Sequence, residues 1–264
     1  MNASSAEKYA VEQAGVFPWN AIGAPLAKDA VLHGPLFTRP LAGARSIERF
    51  YEASHPVLGP FKTRWSLGQG GENLIVGDQR VADREVFSGF WLRRDAAGAV
   101  TEISHGMRPF AYLPPFHDAM RRRLAGLVPD THWELDEAAR VTGPLGEETF
   151  PLMNFEDDAR FFSPLTGKPL QGADRVRNAL AEAAAAYGKR RFLAQFPGRG
   201  VLGGVWEAAI DGHIVRTIMV VLTSPAGAVK DVIGCMLPYP AVSLVYQSVK
   251  ERNMGSLGAE YFCV

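Results

Sequence analysis

A chain of 264 residues, 47% hydrophobic and 21% charged, has the composition of one large or two small folded domains and not of a disordered or fibrous chain. Its 28 basic and 28 acidic residues cancel, which excludes the basic field that nucleic acid or an anionic membrane surface requires. Two cysteines, Cys235 and Cys263, are too few for a disulfide framework or a metal cluster, so a reducing, cytoplasmic setting is expected.

Residues 1–8 lack the basic-then-apolar pattern of a secretory signal, and no apolar run approaches the roughly 18 residues of a membrane span. A short helix is expected over Ala6–Ala14, followed by the punctuation of Pro18, Gly23 and Pro25. The stretch that follows, Asp29-Ala-Val-Leu-His-Gly-Pro-Leu-Phe-Thr-Arg-Pro-Leu-Ala-Gly-Ala44, is written again as Asp158-Ala-Arg-Phe-Phe-Ser-Pro-Leu-Thr-Gly-Lys-Pro-Leu-Gln-Gly-Ala173, a shift of 158 − 29 = 129. Ala97-Gly-Ala-Val100 returns as Ala226-Gly-Ala-Val229 and Met107-Arg-Pro109 as Met236-Leu-Pro238, at the same shift. Separated blocks that share one offset indicate two copies of a single fold, each long enough for its own core. We place one domain at 1–128 and the other at 129–264, with the boundary in the weakly patterned stretch 125–150.

Within each copy the marker stretch reads as extended and leads into a helix. Arg45–Ser54 carries Ile47, Phe50 and Tyr51 at helical spacing and is expected to end at Pro56. Its counterpart begins near Asp174, presents Val176, Leu180, Ala183 and Tyr187 on one face, and stops at Gly188. Strands follow: Phe61–Leu67, Arg80–Arg93 and Ala99–Tyr112 in the first copy, Val205–Ile210, His213–Thr223 and Ala228–Leu237 in the second. Asp211-Gly212 is a strong two-residue hairpin signal, and Asp95–Gly98 a looser one. A helix closes each copy, with Phe116, Met120, Leu124 and Leu127 on one stripe and Val245 and Val249 continuing the pattern; Glu134–Arg140 suggests a short helix between the copies.

This order of marker loop, helix and strand meander, with Pro40-Leu-Ala-Gly43, Asp95-Ala-Ala-Gly-Ala-Val100 and Met107-Arg-Pro109 and their second-copy partners, resembles the nuclear transport factor 2-like superfamily and its SnoaL-like group. The resemblance implies an α+β fold in which a strongly curved antiparallel sheet wraps helices as a cone around an apolar pocket. It implies sheet-against-sheet pairing, here within one chain or between two. Members include ketosteroid isomerases, polyketide cyclases, epoxide hydrolases and dehydratases beside non-catalytic binders, so fold alone assigns no reaction.

Candidate site residues follow from strand alternation. If the Asp95–Gly98 hairpin closes symmetrically, one face carries Val86, Ser88, Phe90 and Leu92 against Met107, His105, Ile103 and Thr101, with Ser88 directly across from His105. His105 is the candidate general base, or else a histidine satisfied within the core. Ser88, Phe90, Ile103 and Met107 are candidate ligand contacts, as are Thr217, Met219 and Met236 in the second copy, where Gly234 replaces His105. The other face sets Glu85 against Arg108 as an ion pair. Glu207 and Asp231 read as solvent-facing, Arg121–Arg123 as a solvated helix face, and Lys189–Arg191 as cations at a helix C-terminus. Gly198-Arg-Gly-Val-Leu-Gly203 has the spelling of a dinucleotide loop but precedes a strand, which removes that reading. His33, His55, His117, His132 and His213 have no metal-ligand spacing. The expectation is therefore a binder of a small apolar molecule with no cofactor and no metal; the alternatives are a proton-moving isomerase, cyclase or dehydratase, and a protein-interaction module.

Overall fold

A computed structural model describes residues 23–81, 83–126, 131–143, 145–146, 153–187 and 189–262. The helix expected at Ala6–Ala14, together with Leu127, Gly188 and Cys263, lies outside the described residues, as does part of the expected domain boundary. The first copy runs β1 (Leu26–His33), β2 (Leu41–Ala42), α1 (Ala44–Leu58), β3 (Lys62–Gln69), β4 (Glu72–Val81), β5 (Arg84–Arg94), β6 (Val100–Arg108) and α2 (Leu113–Leu124). The second runs β7 (Phe155–Phe162), β8 (Leu170–Gln171), α3 (Ala173–Tyr187), β9 (Arg191–Gly198), β10 (Val201–Ile210), β11 (His213–Thr223), β12 (Val229–Leu237) and α4 (Tyr239–Leu257). From β1 to β6, every boundary recurs 129 positions later. Both copies also end their last strand in a cis X-Pro bond, at Pro109 and Pro238.

The marker stretch repeats because its backbone does one job twice. Gly43 (φ 88°) and Gly172 (φ 100°) stand at the helix starts in a left-handed conformation that a Cβ would strain. Their N–H groups donate to Ala30 and Ala159 carbonyls, both at 2.8 Å, which ties the entry of α1 and α3 to the first strand of each copy. Helix α1 then buries Ile47, Phe50, Tyr51, Ser54 and Leu58 at helical spacing. It does not end at Pro56: Leu58 extends the buried stripe, and the Gly59 N–H closes the turn on the His55 carbonyl at 2.8 Å. Asp174 lies inside the first turn of α3, bonded to Arg177 at 2.5 Å. The short helix expected over Glu134–Arg140 is only a single turn, Glu137–Ala139.

The strands form one twelve-stranded sheet in the order β3-β4-β5-β6-β12-β11-β10-β9, with β1 parallel to β6 and β7 parallel to β12. The copies join edge to edge at a single register pair, Met107 with Met236. They also pack face to face. Leu74, Val76, Phe87 and Trp91 of the first copy share a buried cluster with Val205, Ile218, Val220 and Cys235 of the second. Close approach is possible because glycines face the seam: a Cβ on Gly89 would come within 2.9 Å of Ile218 Cγ2, and one on Gly106 within 3.2 Å of Cys235.

Three expectations need correction here. Strand β4 fills residues 72–81 of the first copy, of which only Arg80 and Val81 were expected in a strand, and the single strand expected over Arg80–Arg93 divides between β4 and β5. The β5–β6 register is displaced by two residues: Phe90 faces His105, Ser88 faces Met107 and Leu92 faces Ile103. The loop accounts for one residue, since Arg94 pairs with Val100 and not with Ala99, whose N–H goes to the Asp95 carboxylate at 2.9 Å; a bulge between Arg93 and Arg94 accounts for the other. An even slip leaves each side chain on its expected face. Glu85 accordingly does not meet Arg108. Arg108 instead crosses to the second copy, donating to the Ser163 carbonyl (3.2 Å) and the Thr166 carbonyl (3.4 Å) over the Phe162 ring.

Candidate functional site

The interior of the first copy is filled by its own aromatic side chains. His105, placed by β6, is fully buried and stacked on Phe90 with ring centroids 4.1 Å apart. The Tyr51 hydroxyl lies 3.3 Å from its Nδ1, while its Nε2 has no hydrogen-bond partner among the described residues. Burial pushes the imidazole down to about 3, so it is neutral at physiological pH. Ser88 donates to Gln79 Oε1 at 2.7 Å and makes no bond to His105. Phe37, Phe50 and Phe61 pack into the same core, and Ile103 and Met107 are buried in it at 0% and 1% exposure.

Shifting by 129 shows what the second copy does differently. Phe50, Tyr51, Phe90 and His105 correspond to Ala179, Leu180, Met219 and Gly234, each smaller or more pliable than its counterpart. The vacated space is a cavity of about 60 Å³ whose walls include Thr217, Met219, Gly234 and Met236. These are the three second-copy contacts expected from sequence, together with the glycine that replaces His105. Thr217 is 3% exposed and its Oγ1 finds no partner among the described residues. The Tyr187 hydroxyl lies 3.6 Å from Met236 Sδ, and burial raises its pKa. Gly234 is glycine for a local reason: a Cβ there would come 3.1 Å from Pro164 of the marker loop. Sequence reasoning missed Trp206 and Asn253 in this lining; carrying the aromatic positions across the shift would have pointed to the hollow copy.

A second concavity, of about 330 Å³, lies at the junction of the copies. It is bounded by the first marker loop (His33, Phe37), the connecting segment (Leu135, Asp136), β9–β11 (Arg191, Glu207, Ile214, Arg216) and the end of β12 (Leu237). Two acidic residues expected in solvent prove buried, Glu207 in this cleft and Asp231 elsewhere. Glu207 is 4% exposed; its Oε1 accepts from Arg216 Nε (2.9 Å) and Nη2 (2.6 Å), and its Oε2 from Arg191 Nη2 (2.6 Å). Despite desolvation, these guanidinium groups hold its pKa below the ordinary carboxylate range. Asp231, 6% exposed and away from this cleft, is held by Arg160 at 2.7 and 2.9 Å. Both point outward from their own sheet, but that face lies against the first copy and not water.

Arg216 also donates to Ser104 and reaches Glu102 at 3.5 Å. Hydrogen bonding from His33, with Arg216 and Arg93 nearby, lowers Glu102 to about 2. The basic run after α3 divides: Arg190 is buried over the Trp206 ring at 5.2 Å, and Arg191 serves Glu207. Arg121–Arg123 are exposed, with Arg121 3.5 Å from Glu134. Among the described residues, no three metal-ligating side chains cluster, and no helix is long and apolar enough to cross a membrane.

No family model and no curated protein matches the chain. Several solved structures are similar to part of it. A cystatin-like-fold protein from Silicibacter pomeroyi is 19% identical, covering 38% of this chain and 71% of its own at a TM-score of 0.37. A steroid delta-isomerase from Pseudomonas aeruginosa is 27% identical, covering 39% and 76% at a TM-score of 0.36. A SnoaL-like family protein from Agrobacterium tumefaciens is 16% identical, covering 32% and 74% at a TM-score of 0.27. Each alignment spans about a third of the chain.

Proposed function

We propose that this chain is a small-molecule binding protein whose site is the apolar interior of the second copy, with the first copy as its closed structural counterpart. The observation that carries the reading is the exchange of four large or aromatic side chains for Ala179, Leu180, Met219 and Gly234, which leaves a cavity beside the unsatisfied Thr217 hydroxyl. A buried hydroxyl without a partner costs of order 1–3 kcal/mol, which a ligand with a hydrogen-bonding group would recover. At about 60 Å³ the cavity is well below the size of drug-sized sites, so it takes a short chain or one small ring end. Methionine walls suit such a guest because thioether side chains repack readily. Proton transfer by His105 is the weaker reading, since that imidazole is sealed between Tyr51 and Phe90.

The test is methyl NMR on methionine-labelled protein, titrated with small neutral ketones and alcohols and their hydrocarbon counterparts. Met219 and Met236 methyl signals should move with the oxygenated compounds. Ala179→Phe, which restores the bulk the first copy has at Phe50 and fills the cavity, should weaken binding at least tenfold. Unmoved methionine signals across the panel would refute the reading.

A further inference from the structure

We propose that the cleft between the two copies is a second binding site, one that takes a small monocarboxylate with an apolar body. The site owes its existence to a break in the repeat. In the symmetry-related position Arg108 reaches across the junction to the Ser163 and Thr166 carbonyls beneath Phe162 and occupies the space. On this side Leu237 stands at the position of Arg108, and His33 at the position of Phe162. A shorter, uncharged side chain leaves about 330 Å³ open, within the range of small-molecule sites.

The chemistry of the walls selects the guest. Phe37, Leu135, Ile214 and Leu237 supply apolar surface from both copies and the connecting segment. Both carboxylates in the lining are already committed. Glu207 accepts from Arg191 and Arg216, while Asp136 accepts from Arg39 Nε at 2.6 Å and the Ala138 N–H at 3.2 Å. A cationic guest therefore meets neutralised acids. Arg191 keeps donor capacity: it spends one Nη2 bond on Glu207 and its side chain is 52% exposed. A planar guanidinium with unspent N–H groups at the edge of an apolar cleft matches a carboxylate in geometry as well as charge. This cleft shares no lining residue with the second-copy cavity, so the two sites stand or fall separately.

The experiment uses the full chain with labelled isoleucine methyls and titrates benzoate, hexanoate, benzamide and benzylamine. Benzoate and hexanoate should shift the Ile214 methyl, at least tenfold more tightly than benzamide, with benzylamine inert. Arg191→Gln should lower carboxylate affinity at least tenfold. Because that change also touches buried Glu207, Ile214→Trp serves as a second variant that blocks the cleft without removing a charge; it removes the reporter methyl, so binding is followed by saturation transfer to the benzoate protons and should be abolished. Ala179→Phe, which closes the other cavity, should leave benzoate affinity unchanged. Benzylamine binding as tightly as benzoate, an Ile214 methyl unmoved by all four compounds, or benzoate affinity that survives both cleft variants would overturn the proposal.

Discussion

Positions 105 and 234 occupy the same place in the two copies and are one of four places where side-chain bulk separates a filled interior from one with a cavity. The imidazole of His105 fills its half and remains neutral in the fold until pH falls to about 3, whereas an unfolded histidine takes up its proton near 6.5. Between those values the unfolded chain binds the extra proton, so stability present at neutral pH is lost progressively on acidification. The full interval corresponds to roughly 5 kcal/mol, an upper bound because partial opening relieves it. Leucine is close in volume. His105→Leu should therefore change stability by less than about 1.5 kcal/mol at pH 7 and flatten its decline between pH 6.5 and 5, as read from urea midpoints. That window lies above the range in which Glu102, lowered to about 2, begins to contribute its own acid sensitivity. Strand alternation alone placed His105, Ser88 and Phe90 on the interior face. What it could not supply was volume, because whether an interior is packed or open depends on helix residues such as Phe50 and Tyr51 that lie more than fifty positions away from His105.

Elements were legible where the turn chemistry was local. Asp211-Gly212 forms the expected two-residue hairpin with positive φ at both positions, 47° and 81°, and pairs Ile210 with His213. The Asp95–Gly98 loop was not legible to the residue, since its register turned on one carboxylate–backbone bond and a bulge. Strand β4 was missed because its seam-facing residues are buried by the other copy, so it lacks the polar alternation of a half-exposed strand. The seam itself depends on glycine. In Gly89→Ala the added methyl would press on Ile218, costing about 1–3 kcal/mol by overpacking. Ile218→Val alone removes a methylene and costs about 0.5–1.5 kcal/mol. Combined, the two should lose less than the sum of the single changes; strict additivity in denaturant titrations would show that this contact does not limit the seam.

At the scale of the whole molecule, the shared cluster of Val76, Phe87, Trp91, Ile218 and Cys235 makes each copy part of the other's core. Unfolding either one would expose apolar surface on both. We expect a single cooperative transition, with tryptophan fluorescence and far-ultraviolet circular dichroism reporting coincident midpoints, and light scattering giving the mass of one chain. Two separated transitions would mean that the seam is too weak to couple the copies. The repeat was the most legible feature of all, because a fixed offset needs no propensity to be seen, yet it concealed the burial of Glu207 and Asp231, whose arginine partners lie in their own copy but whose sheet face is turned to the other copy instead of to water.

Covalent joining has a further consequence at positions such as 105 and 234. When two identical chains associate, each substitution is received in duplicate, so a bulky residue that solidifies one partner solidifies both. Here the halves are spelled separately. One can take up rigidity, as with the aromatic stack around His105, while the other gives up bulk to stay open, and the shared seam holds the two together at any dilution. A division of labour between a buttress and a receptacle thus becomes available to a single polypeptide.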